Sequence, residues 1–182
     1  MPERAGIPEG LLMSRDAGAG TLNDERELAA LAISYAAAVD GRDGDRLAGL
    51  FVEDGELVIP KVPVDLRPVL VRKGSEVLRQ IPGGLRRFTK TFHEVLNREF
   101  TIEGGTATGV VYCVAHHVTA AEGSGAKGGG TEATPGTGAD GTDAVWYIRY
   151  LDDYRRTPAG WRIVRRELHL EWVEERPVSL IS

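Results

Sequence analysis

The four histidines of this 182-residue chain are the side chains best suited to proton transfer. An imidazole titrates near neutrality, so it can take a proton from a carbon acid and return it to a leaving hydroxyl group. His93 lies in a segment typical of a β-strand and is our first candidate for the general base. The others are His116, His117 and His169.

His116 and His117 cannot both enter one pocket from a strand, because neighbouring side chains of a strand point to opposite faces. Small residues share the face of His117, namely Gly109, Val111, Cys113 and Ala115. The face of His116 carries the bulkier Tyr112 and Val114. Space for a ligand therefore favours His117 as the second pocket histidine.

Asp40 lies at the predicted C-terminal end of a helix, where the helix dipole disfavours an anion by roughly 0.3–1 kcal/mol. We therefore expect a partner for its carboxylate. Tyr35, about one turn earlier, could donate a hydrogen bond to a carbonyl oxygen of a ligand. Both residues also have structural interpretations. Asp40 could serve merely as the end of the helix before Gly41, and Tyr35 could be a core residue whose hydroxyl group is hydrogen-bonded within the protein.

The elements that must position these side chains begin with three predicted helices. The first runs from about Asn23 to Val39, where Asp24 and Glu27 have capping-box spacing and apolar residues recur every three or four positions. Gly41 ends it, and a short helix over 43–51 follows. Residues 1–21 have no sustained periodicity, so we expect a flexible N-terminal arm.

A third helix is predicted over 73–81, with Ser75 as a candidate cap and the Pro-Gly-Gly of 82–84 as its stop. Before it, residues 56–62 have strand character. Pro60, Pro63 and Pro68 predict that this region forms a sheet edge or an irregular crossing, because proline cannot donate to a central ladder.

Four long strands are predicted after residue 89, over 91–102, 106–120, 144–155 and 161–174. Short turns join most of them into an antiparallel meander, but residues 121–143 are rich in glycine and form a predicted flexible insertion. Apolar positions of the last strand are odd at Trp161 and Ile163 and even from Leu168 through Trp172, which predicts a bulge near Arg165.

These elements predict an α+β fold, a cone-shaped barrel in which three N-terminal helices pack on a strongly bent antiparallel sheet. The chain beyond residue 22 then forms one domain. A helix across a curved sheet leaves a pocket between the two, and such a pocket is the expected binding site.

Composition excludes several classes of protein. The net charge of −5 and the absence of a basic stripe disfavour nucleic acid, and the Arg86-Arg87, Arg155-Arg156 and Arg165-Arg166 pairs are predicted to be solvated. No apolar stretch approaches the roughly 18 residues of a membrane span. The lone Cys113 indicates a reducing compartment, and the N-terminus has no secretory apolar region, so we expect a cytoplasmic protein.

Four motifs, in this order, resemble the SnoaL-like branch of the nuclear transport factor 2-like superfamily over about residues 22–175. They are Tyr35 to Asp43, Leu50 to Gly55, Phe92 to Asn97 and Tyr154 to Ile163. The resemblance implies the cone fold derived above and a homodimer formed through the outer face of the sheet.

Two enzyme types of this superfamily do not match the chain. The base of ketosteroid isomerases falls at Ile59 and their second acid at about Tyr150, so the isomerase machinery is missing. The Asp-Arg-Asp trio of limonene epoxide hydrolases has no counterpart on the equivalent strands.

Scytalone dehydratases match at the positions of Asp40, His93 and His117, although their substrate-gripping tyrosines fall at Val39 and Pro60. Because the Asp40 carboxylate needs a partner, we expect it to pair with the Nδ1 side of His117, which would fix the tautomer of His117 and hold a proton for a developing enolate, while His93 acts as base and then acid. The predicted substrate-binding residues are Tyr35, Asn97, Trp146 and Tyr150.

These residues predict a dehydratase or isomerase that acts on a hydrophobic, oxygenated ring compound without a cofactor. A metal site at Asp40, His93 and His117 is a weaker interpretation, since no two ligands share a metal-binding spacing. Two alternatives stay open: a non-catalytic small-molecule binding protein, and an accessory small subunit of a ring-hydroxylating dioxygenase. A pocket plugged by Phe92, Trp146 or Trp172 would favour the subunit.

Overall fold

The computed structural model describes residues 15–62, 64–121 and 141–180, with side chains from Leu22 onward. Most of the predicted N-terminal arm and of the glycine-rich insertion lies outside these residues. The described chain forms helices packed against one six-stranded sheet, with strand order β2-β1-β6-β5-β4-β3. The strands are β1 (Phe51–Lys61), β2 (Asp65–Lys73), β3 (Lys90–Glu103), β4 (Thr106–Ala120), β5 (Gly141–Thr157) and β6 (Gly160–Val178).

Helix α1 comprises Arg15–Asp40 and begins about eight residues before the predicted start. The sequence analysis did not predict a helix over these first residues because Gly18 and Gly20 are each unfavourable in a helix by about 1 kcal/mol relative to Ala. Asp24 does not cap this helix. Its carboxylate accepts a hydrogen bond from Nε1 of Trp161 at 3.2 Å and pairs with Arg156, which ties the helix to the sheet.

Helix α2 (Gly44–Gly49) begins at Asp43, whose Oδ1 accepts the N–H of Arg46 at 2.9 Å. Helix α3 (Ser75–Gln80) is preceded by Gly74 with φ of +85°, and Ser75 does not cap it; the Ser75 hydroxyl donates to the carbonyl of Glu53 instead. The Pro-Gly-Gly sequence does not end the helical region, because a 3₁₀ helix continues over Ile81–Arg87.

The α+β architecture is confirmed, and the sheet is mixed and open. Strand β1 runs parallel to β6, whereas every other neighbouring pair is antiparallel. The prediction of an antiparallel sheet was therefore wrong for one pair of strands, β1 and β6. Parallel neighbours need a long connection, and the helices and the β3–β5 meander supply it here.

Strand β2, which the sequence analysis did not predict as a strand, lies at the edge of the sheet next to β1. Its Pro68 is tolerated there because an edge strand leaves one side of its ladder unpaired. Pro60 and Pro68 face each other, and the register shifts beside Pro60. Pro68 thus lies on an edge strand and Pro60 beside an irregularity, as predicted, whereas Pro63 lies outside the described residues.

Two bulges in the pairing of β5 with β6 change which side chains of β6 face the helices. Asp153 pairs with Arg165 and Tyr154 with Ile163, so Val164 is the extra residue of the predicted bulge. A second shift beside Ile148 turns Trp172 to the outer face, so its predicted place on the face of Leu168 and Leu170 was wrong.

The core lies between α1 and the inner face of the sheet. Leu28, Ala32 and Tyr35 of the helix pack with Trp161 and Ile163 of β6. Strand β4 pairs with β5 without a register break from Thr106 to Ala120, so its alternation is regular. This regular strand carries the two adjacent histidines.

Candidate functional site

A cavity of about 570 Å³ opens between α1, the 3₁₀ helix and the inner face of the sheet. Most of its wall is apolar, including Val39 and Leu57 near its floor and Ile81 and Leu85 from the 3₁₀ helix. His93 and His117 also line it. The predicted pocket between helix and sheet is therefore present, with two imidazoles in its wall.

His93 on β3 is bound through its ring and its backbone by Asp40, the last residue of α1. Nδ1 of His93 lies 2.7 Å from Oδ1 of Asp40, and the backbone N–H of His93 donates to Oδ2 at 2.9 Å. Because a carboxylate accepts hydrogen bonds, Nδ1 carries the proton. The ring nitrogen left toward the cavity is Nε2, which has a free lone pair in this tautomer.

Thr91 and Arg42 hold the Asp40 carboxylate in place. The Thr91 hydroxyl donates to Oδ1 of Asp40 at 2.9 Å and accepts a hydrogen bond from Nη1 of Arg42 at 2.6 Å. Arg42 has φ of +56° and also donates to the carbonyls of Val39 and Leu85. Its guanidinium thus satisfies helix-terminal carbonyls while it orients Thr91.

The charge on Asp40 is stabilised although it lies at the unfavourable end of a helix dipole. Burial of the carboxyl acts to raise its pKa, but the hydrogen bonds and charge of His93, together with Thr91, lower that pKa overall. Asp40 is therefore ionised near neutral pH.

His117 lies deeper in an aromatic surrounding. Its ring centroid is 4.8 Å from that of Phe88, 4.5 Å from that of Trp146 and 5.7 Å from that of His93. Burial lowers the pKa of His117 to about 4, and the charges of His93 and Arg87 act in the same direction. Nδ1 lies 3.3 Å from the carbonyl oxygen of Ala144, which can only accept a hydrogen bond, so neutral His117 has an unprotonated Nε2.

The predicted pairing of Asp40 with His117 was wrong, because the carboxylate binds His93. Helix α1 packs on β3, so its end meets the edge strand before it reaches β4. The register places His93 opposite Ala115 and Thr91 opposite His117. His117 therefore lies one strand further from Asp40 and turns its Nδ1 to β5 instead.

The sequence matches the model of the SnoaL-like domain over residues 20–167. This chain belongs to the SnoaL-like domain family. No curated protein matches it significantly. None of the helices in the described part of this SnoaL-like domain could cross a membrane.

Solved structures share the fold of this SnoaL-like domain at low sequence identity. Protein Kfla4162 of Kribbella flavida has a TM-score of 0.67 at 21% identity, with 85% of this chain and 95% of that chain covered. A Novosphingobium aromaticivorans protein provisionally assigned as a scytalone dehydratase has a TM-score of 0.65 at 20% identity, covering 91% and 97%. Hexachlorocyclohexane dehydrochlorinase LinA-type3 of Novosphingobium barchaimii has a TM-score of 0.64 at 14% identity, with 92% of this chain and 97% of that chain covered.

Three of the four residues predicted to bind substrate line the cavity of the SnoaL-like domain: Tyr35, Trp146 and Tyr150. Burial raises the pKa of Tyr35 to about 12, so its phenol stays a hydrogen-bond donor at neutral pH. Asn97 is exposed and does not line the cavity. The β3 register shifts between Val95 and Arg98, and this unpredicted bulge removes Asn97 from the inner face.

The aromatic residues that would plug a purely structural subunit leave the cavity open. Phe92 and Trp172 lie on the outer face, 61% and 51% exposed. Trp146 forms part of the wall beside His117.

The other two histidines lie outside the cavity. His116 faces outward, where its Nδ1 lies 2.7 Å from Oδ2 of Asp143, and His169 is half-buried against Glu167.

A buried ion pair beneath the cavity was missed by the sequence analysis, which placed Arg166 in solvent. Arg166 is 1% exposed and makes two hydrogen bonds to Asp152, at 2.8 and 2.6 Å. Its guanidinium carbon lies 4.3 Å from the ring centroid of Tyr35 and 4.4 Å from that of Tyr150. The sequence did contain a signal for this pair, because Asp152 lies two residues after Tyr150 on β5 and therefore faces the core from the same side of the strand.

Two other chemistries find little support at this site. Burial raises the pKa of Cys113 to about 12, so its thiol is a poor nucleophile at neutral pH. Within the described ranges, no three His, Cys, Asp or Glu side chains are arranged to hold a metal ion. The site as described is suited to proton transfer by His93.

Proposed function

We propose that this SnoaL-like domain is a cofactor-independent dehydratase or isomerase that acts on a hydrophobic, oxygenated ring compound. The observation that carries the proposal is the Asp40–His93 pair, which engages Nδ1 of His93 and leaves its Nε2 without a described partner at the wall of an apolar cavity. A base in this tautomer, with an ionised partner behind it, can take a proton from a bound carbon acid.

In the proposed reaction, Nε2 of His93 takes a proton from the carbon next to a carbonyl group, and the C–H electrons form an enolate. In a dehydration, the enolate electrons form a C=C bond while the C–O bond to the β-hydroxyl breaks. The His93 imidazolium then returns its proton to the departing hydroxide, which leaves as water. In an isomerisation, the same proton returns to a different carbon of the conjugated system.

Roles for Tyr35 and His117 follow from their hydrogen-bonding capacity. The Tyr35 phenol is protonated and lines the cavity, so we propose it as the donor to the enolate oxygen. The unprotonated Nε2 of neutral His117 can accept a hydrogen bond from a substrate hydroxyl. His117 thereby becomes a positioning residue rather than the predicted proton donor.

The similar structures support an elimination. Two of them are named for reactions that remove water or hydrogen chloride from a substrate. The aromatic wall at Phe88 and Trp146 suits a flat ring, since aromatic side chains favour stacked or edge-on contacts with rings. A cavity of about 570 Å³ lies within the size range of small-molecule sites.

The test follows hydrogen exchange and water loss in a panel of cyclic ketones and β-hydroxyketones in D₂O, by NMR and mass spectrometry. We expect the wild-type chain to exchange the α-hydrogen of at least one compound, and His93→Gln to slow that exchange by about 100-fold or more. His169→Gln, which changes a half-buried histidine that does not line the cavity, is the matched control and keeps the rate. Tight binding without exchange would support a non-catalytic binding protein instead.

We also propose that two copies associate through the outer face of the sheet. Large apolar side chains are exposed there on four strands, namely Phe92, Tyr112, Leu151 and Trp172. Exposed large apolar side chains on one face of a sheet are typical of protein interfaces. Native mass spectrometry would show a dimer for the wild-type chain and monomers for Phe92→Glu/Trp172→Glu.

A further inference from the structure

We propose that the substrate carries a carboxylate, bound at the cavity mouth by Lys61, Arg72 and Arg87. This inference rests on the proposed function and names the substrate class of the same site. All three cationic side chains line the cavity, and none of the described lining residues is acidic. The nearest catalytic carboxylate, Asp40, is held behind His93 and is not part of the lining.

Two sides of the cavity supply these charges. Arg72 of β2 lies opposite Leu57 of β1, and both line the cavity, so Arg72 faces inward. Lys61 follows the register shifts beside Pro60 at the end of β1, and it lines the cavity together with Pro60 and Val62. Arg87 ends the 3₁₀ helix on the other side. The cavity lining therefore carries cations on its β1–β2 side and on its 3₁₀-helix side.

The three cations have no carboxylate partner within the described chain, unlike others on the same strands. Lys73 of β2 pairs with Glu56 at 2.9 Å, and Arg67 pairs with Asp65 at 2.8 Å. Among the ion pairs of the described residues, none includes Lys61, Arg72 or Arg87. Arg87 instead lies 4.7 Å from the ring centroid of Phe88. A bound anion would therefore supply the counter-charge.

The arrangement also orients a ligand. β2 and β3 are the two edges of the sheet, so the β1–β2 cations and His93 approach the cavity from opposite ends of the strand order. Between them lies the apolar and aromatic wall, including Ile148 and Trp146. A ring acid with its carboxylate at Arg72 therefore places its far side toward His93. Arg is well suited to this role because its guanidinium binds a carboxylate through two parallel hydrogen bonds.

The test compares naphthalene-2-carboxylate with naphthalene-2-carboxamide, which has the same ring and nearly the same size but no charge. Isothermal titration with the full chain should show the acid binding about tenfold more tightly at low salt. Arg72→Gln and Arg87→Gln should each remove most of that preference while leaving binding of the amide unchanged. Because screening acts on the charged ligand alone, added NaCl should weaken only the acid.

Arg86→Gln is the matched control, since Arg86 is the exposed neighbour of Arg87 on the same 3₁₀ helix and does not line the cavity. Equal binding of acid and amide, binding of neither, or an equal loss of preference in Arg86→Gln would overturn the inference. The proposed function has a separate readout. His93→Gln should abolish exchange yet keep the preference for the acid, whereas His93-dependent turnover of neutral compounds without that preference would overturn only this inference.

Discussion

Asp40 holds His93 at two points, with Oδ1 2.7 Å from Nδ1 of the ring and Oδ2 accepting the backbone N–H at 2.9 Å. The double contact sets both the tautomer of the imidazole and the position of its strand against the end of α1. One carboxylate thus links the helix, the edge strand and the candidate base.

Replacing the Asp40 carboxylate by an amide tests its positioning role. Asp40→Asn keeps the shape of the side chain but removes the negative charge beside the His93 ring, so we expect hydrogen exchange in the assay described above to fall by about 100-fold. The ¹⁵N-coupled Nδ1–H signal of His93 should also change, which a purely structural role would not require. Asp45→Asn, at an exposed carboxylate that pairs with Arg79, should leave both readouts unchanged.

The pKa of His117 predicts how stability depends on pH. The folded-state pKa of about 4 lies below the ordinary value of 6.5, so the unfolded chain binds the proton more readily between these values. Stability is then lost as the pH falls from about 6.5 to 4, by up to about 3 kcal/mol for this residue. Urea titrations of wild type and His117→Phe at pH 7, 5.5 and 4.5 should show a smaller loss in the variant; parallel losses would contradict the assignment.

The buried Arg166–Asp152 pair should be costly to break from one side. Arg166→Met leaves Asp152 buried without its cation, and we expect a loss of about 3–5 kcal/mol in the free energy of unfolding. Arg165→Met, the adjacent residue with a partly exposed pair to Glu167, should cost no more than about 1 kcal/mol. Urea unfolding measures both, and similar losses in the two variants would show that burial of the pair is unimportant.

Gly109 on β4 lies where the sheet has no room for a side chain. An added Cβ would come within 2.7 Å of the Phe100 ring and 3.0 Å of the Tyr154 ring. Gly109→Ala should therefore destabilise the fold by about 1–3 kcal/mol through overpacking. Gly105→Ala, in a turn with open space around the new methyl group, is the control, and thermal unfolding compares the two.

Periodicity and turn residues carried most of the fold prediction. The 15 residues of β4, Thr106–Ala120, have the predicted bounds, because regular alternation between the Gly104-Gly105 turn and a glycine-rich stretch of sequence is a local signal. Strand β2 was missed because Pro68 argues against a strand unless its place at the edge is known. The parallel pairing of β1 with β6 joins segments about a hundred residues apart, and no local pattern contains it.

By itself, the sequence determined the α+β class, the inward face of His117 and the need of Asp40 for a partner, because alternation and helix ends depend on neighbouring residues alone. Only the tertiary structure decided that this partner is His93. Strand register and the packing of α1 on β3 set which imidazole meets the carboxylate. The β3 bulge likewise moved Asn97 out of the site, and Arg166 found its counter-charge on another strand. Each outcome depends on which distant segments share a surface, and one-residue shifts in register change it.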